Sequence, residues 1–154
     1  MADGQSHAFE STVPFGAANV VTLCVSCSDG RFVLQTDEFM ARFISQPACD
    51  RLAVPGGAAC LAGHVPVWRE GEVVGESVRF LQRAHDLKTV ILVAHEDCGF
   101  YAKTLGIGAE NMERFQIEDL HKAADRIRGS APVEVKAFYA RRAGGKVRFE
   151  AVVV

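Results

Sequence analysis

Two short stretches of this sequence carry side chains that could bind a metal ion and catalyse a reaction. The stretch CSDGR places Cys27, Asp29 and Arg31 at alternate positions, and HEDCG places His95 and Cys98 three residues apart. Two thiolates and an imidazole suit zinc, and three protein ligands with one open position are typical of catalytic zinc sites. These residue types indicate a zinc site, with Asp29 or water as the fourth ligand.

Both stretches follow apolar runs that predict buried strands. The run NVVTLCVSC, Asn19–Cys27, is rich in β-branched residues, and KTVILVAH, Lys88–His95, is more strongly apolar still. Ligand sites in open parallel sheets form outside the carboxyl ends of the strands, and right-handed crossovers bring those ends to one edge. We therefore expect the two stretches to converge in the folded protein, although they are far apart in the chain.

The rest of the chain alternates predicted helices with predicted strands. This order favours an α/β fold with a mixed, mainly parallel sheet of about five strands flanked by helices, whose last hairpin adds an antiparallel edge. The helices are predicted over Thr36–Gln46, Gly75–Leu87 and Gln116–Arg128, and the further strands over Arg51–Val54, Val133–Ala140 and Lys146–Val154.

The domain organisation is predicted to be simple. Residues 1–18 are rich in small and polar residues and are expected to form an irregular N-terminal arm, whereas residues 19–154 are expected to form a single domain. The arm has little apolar surface of its own to fold around. It is therefore a candidate for wrapping a partner subunit.

Composition excludes several classes of partner. The formal net charge is −2 in 154 residues, so charge gives no reason to expect binding to nucleic acid or to an anionic membrane. No apolar run is long enough to cross a bilayer, and the first residues have no basic and apolar leader. The expected location is the cytoplasm.

The cysteines and histidines outside the two stretches have simpler interpretations. The chain has 5 cysteines, an odd number that argues against a disulfide framework, and Cys24, Cys49 and Cys60 are expected to pack as small apolar residues. His64 and His121 are expected at the surface, and His85 is expected to pack or to cap its helix. Glu96 and Asp97 could orient His95, or could be exposed loop carboxylates.

The two stretches together resemble the signatures of the β-class carbonic anhydrases, C-x-D-x-R and H-x-x-C-G. The segment GESVRFLQRAHDLKTVILVAHEDCG is also similar to the helix and strand that precede the second signature in that family, and the resemblance covers residues 20–100. It implies zinc ligands at Cys27, His95 and Cys98 and a catalytic dyad of Asp29 and Arg31. It further implies reversible hydration of CO₂ to bicarbonate by zinc-bound hydroxide, in homodimers or dimer-based oligomers.

Physical chemistry supports the roles that the resemblance implies for the dyad. A zinc ion with two thiolates and one neutral imidazole carries no net charge, so it polarises water less than a site of three histidines. A carboxylate at Asp29 can accept a hydrogen bond from the bound water or hydroxide and orient it. Arg31 keeps that carboxylate ionised through a bidentate pair, and alternate residues of an extended chain point to the same side.

One stretch departs from the family pattern and leaves alternatives open. After the second strand the family commonly has an Arg-Asn-Ala-Gly-like sequence, whereas this chain reads LAVPGGAA. Gly56 and Gly57 would let the backbone approach the metal pocket, but the Arg and Asn have no counterpart. The alternatives are hydrolysis of carbonyl sulfide or carbon disulfide at the same zinc site, and a zinc-binding protein without catalytic activity.

Overall fold

A five-stranded β-sheet in the order β2-β1-β3-β4-β5 organises the chain. The structure is a computed structural model and describes residues 8–16 and 19–154. The strands β1 to β4 pair in parallel and β5 pairs antiparallel with β4, so the predicted mixed, mainly parallel sheet is confirmed. The strands are β1 (Thr22–Cys27), β2 (Asp50–Val54), β3 (Thr89–His95), β4 (Glu134–Ala143) and β5 (Lys146–Val152).

Helices cover both faces of the sheet, which explains why β1 and β3 are apolar at successive positions. Leu23 and Val25 of β1 point into the core cluster beneath the second and fourth helices, whereas Cys24 points into the cluster beneath the first. The helices are α1 (Val33–Arg42), α2 (Trp68–His85), α3 (Gly99–Lys103) and α4 (Ala109–Ser130).

Helix α1 begins three residues before the predicted start. The Asp29 side chain accepts a hydrogen bond from the Arg31 backbone and caps a short 3₁₀ turn, Gly30–Phe32, which leads directly into α1. Thr36 is consequently buried inside the helix and does not cap it. Phe43 was predicted on the apolar face but is 71% exposed.

Helices α2 and α4 are longer than predicted, and α3 was not predicted. Glycines inside α2 weakened its sequence pattern, because glycine is a poor helix former. Gly71 lies against the carbonyl oxygen of Cys60, in a second 3₁₀ turn at Gly57–Leu61, where a side chain would not fit. The glycine that obscures the helix in sequence thus allows α2 to pack closely on that turn.

The predicted arm is only partly described. Residues 8–16 have no regular secondary structure and are exposed, whereas residues 1–7, 17 and 18 of the predicted arm lie outside the described part of the chain. Among the described residues, no helix combines the length and apolar character needed to cross a membrane.

Candidate metal centre

The structure brings together the two stretches that the sequence singled out. Strands β1 and β3 are adjacent and parallel, and Cys27 and His95 are their last residues. The side-chain donor atoms of Cys27, His95 and Cys98 lie within 4.8 Å of one another. The convergence expected from strand order is therefore present.

The three donors lie close enough together to hold one metal ion. The sulfurs of Cys27 and Cys98 are 3.9 Å apart, and two sulfurs at ordinary distances from a tetrahedral zinc would be about 3.8 Å apart. His95 donates a hydrogen bond from Nδ1 to the Glu96 carbonyl oxygen at 2.8 Å, so Nε2 carries the free lone pair. Nε2 is buried and has no hydrogen-bond partner among the described residues, which fits a nitrogen that holds a metal.

Among the five thiols of the chain, only that of Cys27 has a pKa that is lowered toward the thiolate form. The close contact between the two sulfurs lowers the pKa of Cys27 and raises the pKa of Cys98. Burial raises the pKa of Cys24 to about 12 and also raises that of Cys60. The pair Cys27 and Cys98 thus shares one thiolate readily, whereas Cys24 and Cys60 behave as small core residues.

The loop PGGAA, where the sequence departs from the family pattern, lies against Cys27. The backbone N–H of Gly56 points to the Cys27 sulfur at 3.4 Å. Gly57 has a φ of 53° and lies so close to β1 that an added Cβ would be 3.0 Å from the Cys27 nitrogen. Gly57 is therefore required by the close approach of this loop to β1, whereas Gly56 is required by its φ of 77° and by the Phe100 ring beside it.

Asp29 and Arg31 form a tightly hydrogen-bonded pair beside the three donors. Arg31 donates from Nε and Nη2 to the Asp29 carboxylate at 3.0 and 2.6 Å, and this contact lowers the pKa of Asp29 to about 2. Asp29 Oδ2 lies 4.0 Å from His95 Nε2, so the ionised carboxylate borders the metal position.

The turn between His95 and Cys98 ties the two stretches together. Asp97 has a φ of 55°, which aspartate tolerates better than most residues, and its carbonyl and carboxylate oxygens accept hydrogen bonds from Arg31. The Glu96 carboxylate instead pairs with Arg142. Neither carboxylate orients His95, because that function belongs to the backbone carbonyl of Glu96.

Two cavities that border the site differ in size, since one of about 350 Å³ is lined by Arg31 and Phe32 and the other is smaller. The smaller one, of about 120 Å³, is lined by Cys27 together with Ser26, Phe32, Val33 and Thr36 among others. The ring of Phe32 packs on that of His95 with centroids 4.3 Å apart. The 120 Å³ cavity beside Cys27 has room only for a small molecule.

Sequence reasoning missed two polar residues behind the site, Gln116 and Asp119 of α4. Both are almost completely buried. Gln116 donates to the His95 carbonyl oxygen at 2.8 Å, and Asp119 accepts from the Tyr101 hydroxyl at 2.7 Å. A signal was available, because both polar residues fall on the buried stripe of α4 that Leu120 also occupies.

The remaining histidines have different surroundings. His64 was expected at the surface, but its Nε2 lies 2.6 Å from the buried Asp119 carboxylate. That expectation is wrong, because His64 is one of the polar partners that the buried Asp119 carboxylate requires. His85 pairs with Asp50, and His121 is exposed as predicted.

Comparison with known proteins supports the fold and the family. A family model described as "Putative carbonic anhydrase" matches residues 17–152. An uncharacterized protein of Rickettsia conorii is 30% identical over 118 residues, which are 72% of this chain and 61% of that protein. An uncharacterized protein of Rickettsia bellii is 29% identical over 85 residues, 54% of this chain and 51% of that protein. The chain thus spans between half and two thirds of these relatives.

Solved structures share the fold at low sequence identity. The β-carbonic anhydrase isoform I of Trichomonas vaginalis has a TM-score of 0.55 and 17% identity, over 91% of this chain and 87% of that one. The β-carbonic anhydrase CafD of Aspergillus fumigatus has a TM-score of 0.51 and 11% identity, over 90% and 94%. These similarities show the architecture of the sheet and its helices.

Proposed function

The chain belongs to the carbonic anhydrase family whose model it matches, and from that membership we propose that it catalyses the reversible, zinc-dependent hydration of CO₂ to bicarbonate. Cys27, His95 and Cys98 would hold the ion, and Asp29 and Arg31 would act as the catalytic dyad. The family and the fold are shown by the comparisons above, whereas the activity, the substrate and the roles of these residues are proposed.

The observation that carries the proposal is the buried, unpartnered Nε2 of His95, which faces two thiols among the described residues. A buried polar atom without a partner is destabilising unless a ligand satisfies it. An imidazole held by a backbone carbonyl is the usual arrangement of a histidine that binds a metal. Bound there, zinc would supply a Lewis acid that lowers the pKa of a coordinated water.

Asp29 would hold and orient the attacking water. Its carboxylate stays ionised at neutral pH because Arg31 donates hydrogen bonds to both oxygens and so lowers the pKa of Asp29. An ionised carboxylate only accepts hydrogen bonds, so it fixes which lone pair of the water faces the substrate. The resemblance to the β-class enzymes implies that Asp29 pairs with Arg31 when the fourth position on the metal is open.

Arg31 would keep Asp29 away from the metal. It bridges the two stretches, since it contacts Asp29 on one side and Asp97 on the other. Two anchors restrict the guanidinium more than one would. The dyad would therefore keep its geometry through the catalytic cycle.

We also propose a homodimer or a dimer-based oligomer. Four large apolar side chains of α2 and the turn before it are mostly exposed, and packing against a second copy of the chain would cover them. The exposed side chains are Val65, Trp68, Val73 and Phe80. The described part of the N-terminal arm adds Phe9 and Phe15, both more than nine-tenths exposed, as residues that would pack on a partner.

The cytoplasm remains the proposed location. Among the five cysteines of the chain, none is joined in a disulfide. Free thiols and a thiolate-rich metal site suit a reducing compartment. Localisation of a tagged full-length chain by fractionation would test this.

The test of the function is stopped-flow CO₂ hydration by zinc-loaded protein, with zinc content measured on the same sample. We expect hydration that depends on zinc and is restored when zinc is returned to metal-free protein. Zinc-loaded protein that does not accelerate hydration from neutral to alkaline pH would contradict the proposal. The same sample tested on carbonyl sulfide then separates hydrolysis of a sulfur analogue from a zinc-binding protein without activity.

A further inference from the structure

Helix α4 supports the half of the site that contains His95 and Cys98. Gln116 and Asp119 lie three residues apart on the buried side of the helix, at 1% and 0% exposure. One reaches the end of β3 and the other reaches α3. The two contacts thus engage the elements that carry two of the three metal donors.

The first contact fixes His95. The His95 carbonyl accepts a hydrogen bond at 2.8 Å from the Gln116 side chain, at the point where β3 ends. A backbone fixed at this point sets where the imidazole emerges. The ring is then oriented by the Glu96 carbonyl and packed by Phe32.

The second contact fixes Cys98 through Tyr101. Tyr101 lies in α3, three residues after Cys98, and packs with Cys98 in one buried cluster. The Tyr101 ring is buried, and its hydroxyl donates to Asp119 at 2.7 Å. Asp119 therefore fixes α3, the helix that begins directly after Cys98.

Asp119 is itself held from outside. His64 Nε2 lies 2.6 Å from the same carboxylate oxygen that accepts from Tyr101. A fully buried carboxylate is retained only with such partners, and removing one leaves a polar group uncompensated. A core packed only for stability would need no carboxylate here.

We infer that Gln116 and Asp119 are positioning residues that hold His95 and Cys98 in metal-binding geometry, so that α4 sets the affinity of the site for zinc. The inference rests on the metal binding proposed above. Residues that hydrogen-bond to metal ligands or fix them commonly change metal affinity about 10- to 100-fold when they are replaced. Here the residues act through a backbone carbonyl and through a tyrosine, respectively.

The test is zinc affinity of the full chain, measured by competition with a chromophoric chelator. We expect Asp119→Asn and Gln116→Met each to weaken zinc binding about 10- to 100-fold. Tyr101→Phe removes one oxygen atom and keeps the ring. It should weaken binding in the same direction, and it serves as the second variant if Asp119→Asn does not fold.

Three control variants separate positioning from general loss of stability. Asp125→Asn removes a carboxylate from α4 whose side chain is 83% exposed. Tyr139→Phe removes the hydroxyl of another buried tyrosine, and Leu120→Ala opens a cavity under α4. We expect unchanged zinc affinity in the folded form of all three, together with a lower melting temperature for Leu120→Ala.

A spectroscopic measurement adds a readout that stability alone would not move. In cobalt-substituted protein, the sulfur-to-cobalt charge-transfer band should shift in Tyr101→Phe and Asp119→Asn and should keep its position in the controls. If the unmodified protein binds zinc but all variants bind it equally well and give the same spectrum, this inference is overturned and the proposed function is not affected. If the unmodified protein binds no stoichiometric metal, the proposed function fails and this inference fails with it.

Discussion

The two halves of the candidate metal centre are built differently. The half at the end of β3 is buried, since His95 and Cys98 are 3% and 1% exposed. Buried hydrogen bonds from α4 reach this half. The half at the end of β1 lies closer to solvent, and the Arg31 side chain that organises it is 54% exposed.

This difference matches what each half would have to do. A metal ligand must not move, and buried hydrogen bonds at low dielectric hold it well. A carboxylate that handles a water needs access to solvent and an ionised state, both of which the exposed pair with Arg31 allows. We therefore expect changes in the β3 half to remove the metal, and changes in the dyad to remove activity while the metal stays.

The largest expected effect is that of a lost ligand. Cys98→Ser should lower zinc affinity by more than about 100-fold, because even residues that only support a ligand change affinity by up to that factor. Zinc content after dialysis, measured by atomic absorption, checks this. Cys49→Ser is the matched control, because Cys49 is a half-buried thiol whose pKa is raised by burial. Stoichiometric zinc in Cys98→Ser would refute the assignment of this half.

The next effect concerns the dyad. Asp29→Asn should lower kcat/KM for CO₂ hydration about 100- to 10,000-fold while zinc content stays at one per chain, because an amide cannot replace an ionised acceptor. Arg31→Lys should also lose activity, since an ammonium cannot form the fork that holds Asp29. Arg42→Ala, an exposed arginine in α1, is the control. Loss of zinc from Asp29→Asn would erase the distinction between the halves.

A smaller effect is expected at the loop that contacts Cys27. Gly57→Ala should destabilise the fold by about 1–3 kcal/mol, because the backbone is left-handed there and a Cβ would press on β1. Chemical denaturation of the zinc-free protein measures this. In Gly129→Ala of α4 an added Cβ has no neighbour within 4 Å, so it should be neutral or slightly stabilising. Equal effects of Gly57→Ala and Gly129→Ala on stability would mean that the backbone at position 57 does not require glycine.

The smallest effect concerns an exposed ion pair that joins α4 to β4. A hydrogen bond from Arg141 lowers the pKa of Glu113, so the pair stabilises the folded state above the usual glutamate pKa. That contribution is lost as pH falls through the lowered pKa. Both side chains are at least one-third exposed, so Glu113→Gln should cost under about 1 kcal/mol at pH 7 and nothing at acidic pH.

Denaturant midpoints of Glu113→Gln and of Glu118→Gln provide the comparison, since Glu118 is a half-exposed glutamate that pairs with Arg114 within α4. At pH values above the usual glutamate pKa, Glu113→Gln should be slightly less stable than Glu118→Gln. A loss at pH 7 as large as that of Asp119→Asn would mean that surface pairing, not the buried contacts, fixes α4.

The sequence alone predicted the sheet, the carboxyl ends of β1, β2 and β3, and the convergence of the two stretches, whereas β4 ends three residues later than predicted and β5 two residues earlier. These features follow from local rules, because apolar runs define buried strands and parallel order places their ends at one edge. The start of α1 was wrong, since the Asp29 cap belongs to a 3₁₀ turn that resembles a loop in sequence. The predicted start of α2 was wrong because Gly71 weakens the helical pattern in the sequence. The reason for a glycine at this position becomes visible only in the fold, where the Cys60 carbonyl lies beside it.

The supporting residues of the site were beyond local rules. Gln116, Asp119 and His64 show their roles only when α3, α4 and a distant loop meet. Sequence spacing cannot reveal which buried polar residue finds which partner. The roles of Cys27, Asp29, Arg31, His95 and Cys98 as ligands and catalytic groups stay predictions, now supported by their proximity.

The central claim is that the two halves together form one zinc site. X-ray absorption spectroscopy of zinc-loaded protein tests it most directly, because it counts sulfur and nitrogen ligands around the metal. We predict one zinc per chain with two sulfur ligands at about 2.3 Å and two lighter atoms, one of them an imidazole nitrogen. A shell without sulfur, or with four sulfurs, or the absence of stoichiometric zinc would contradict the account.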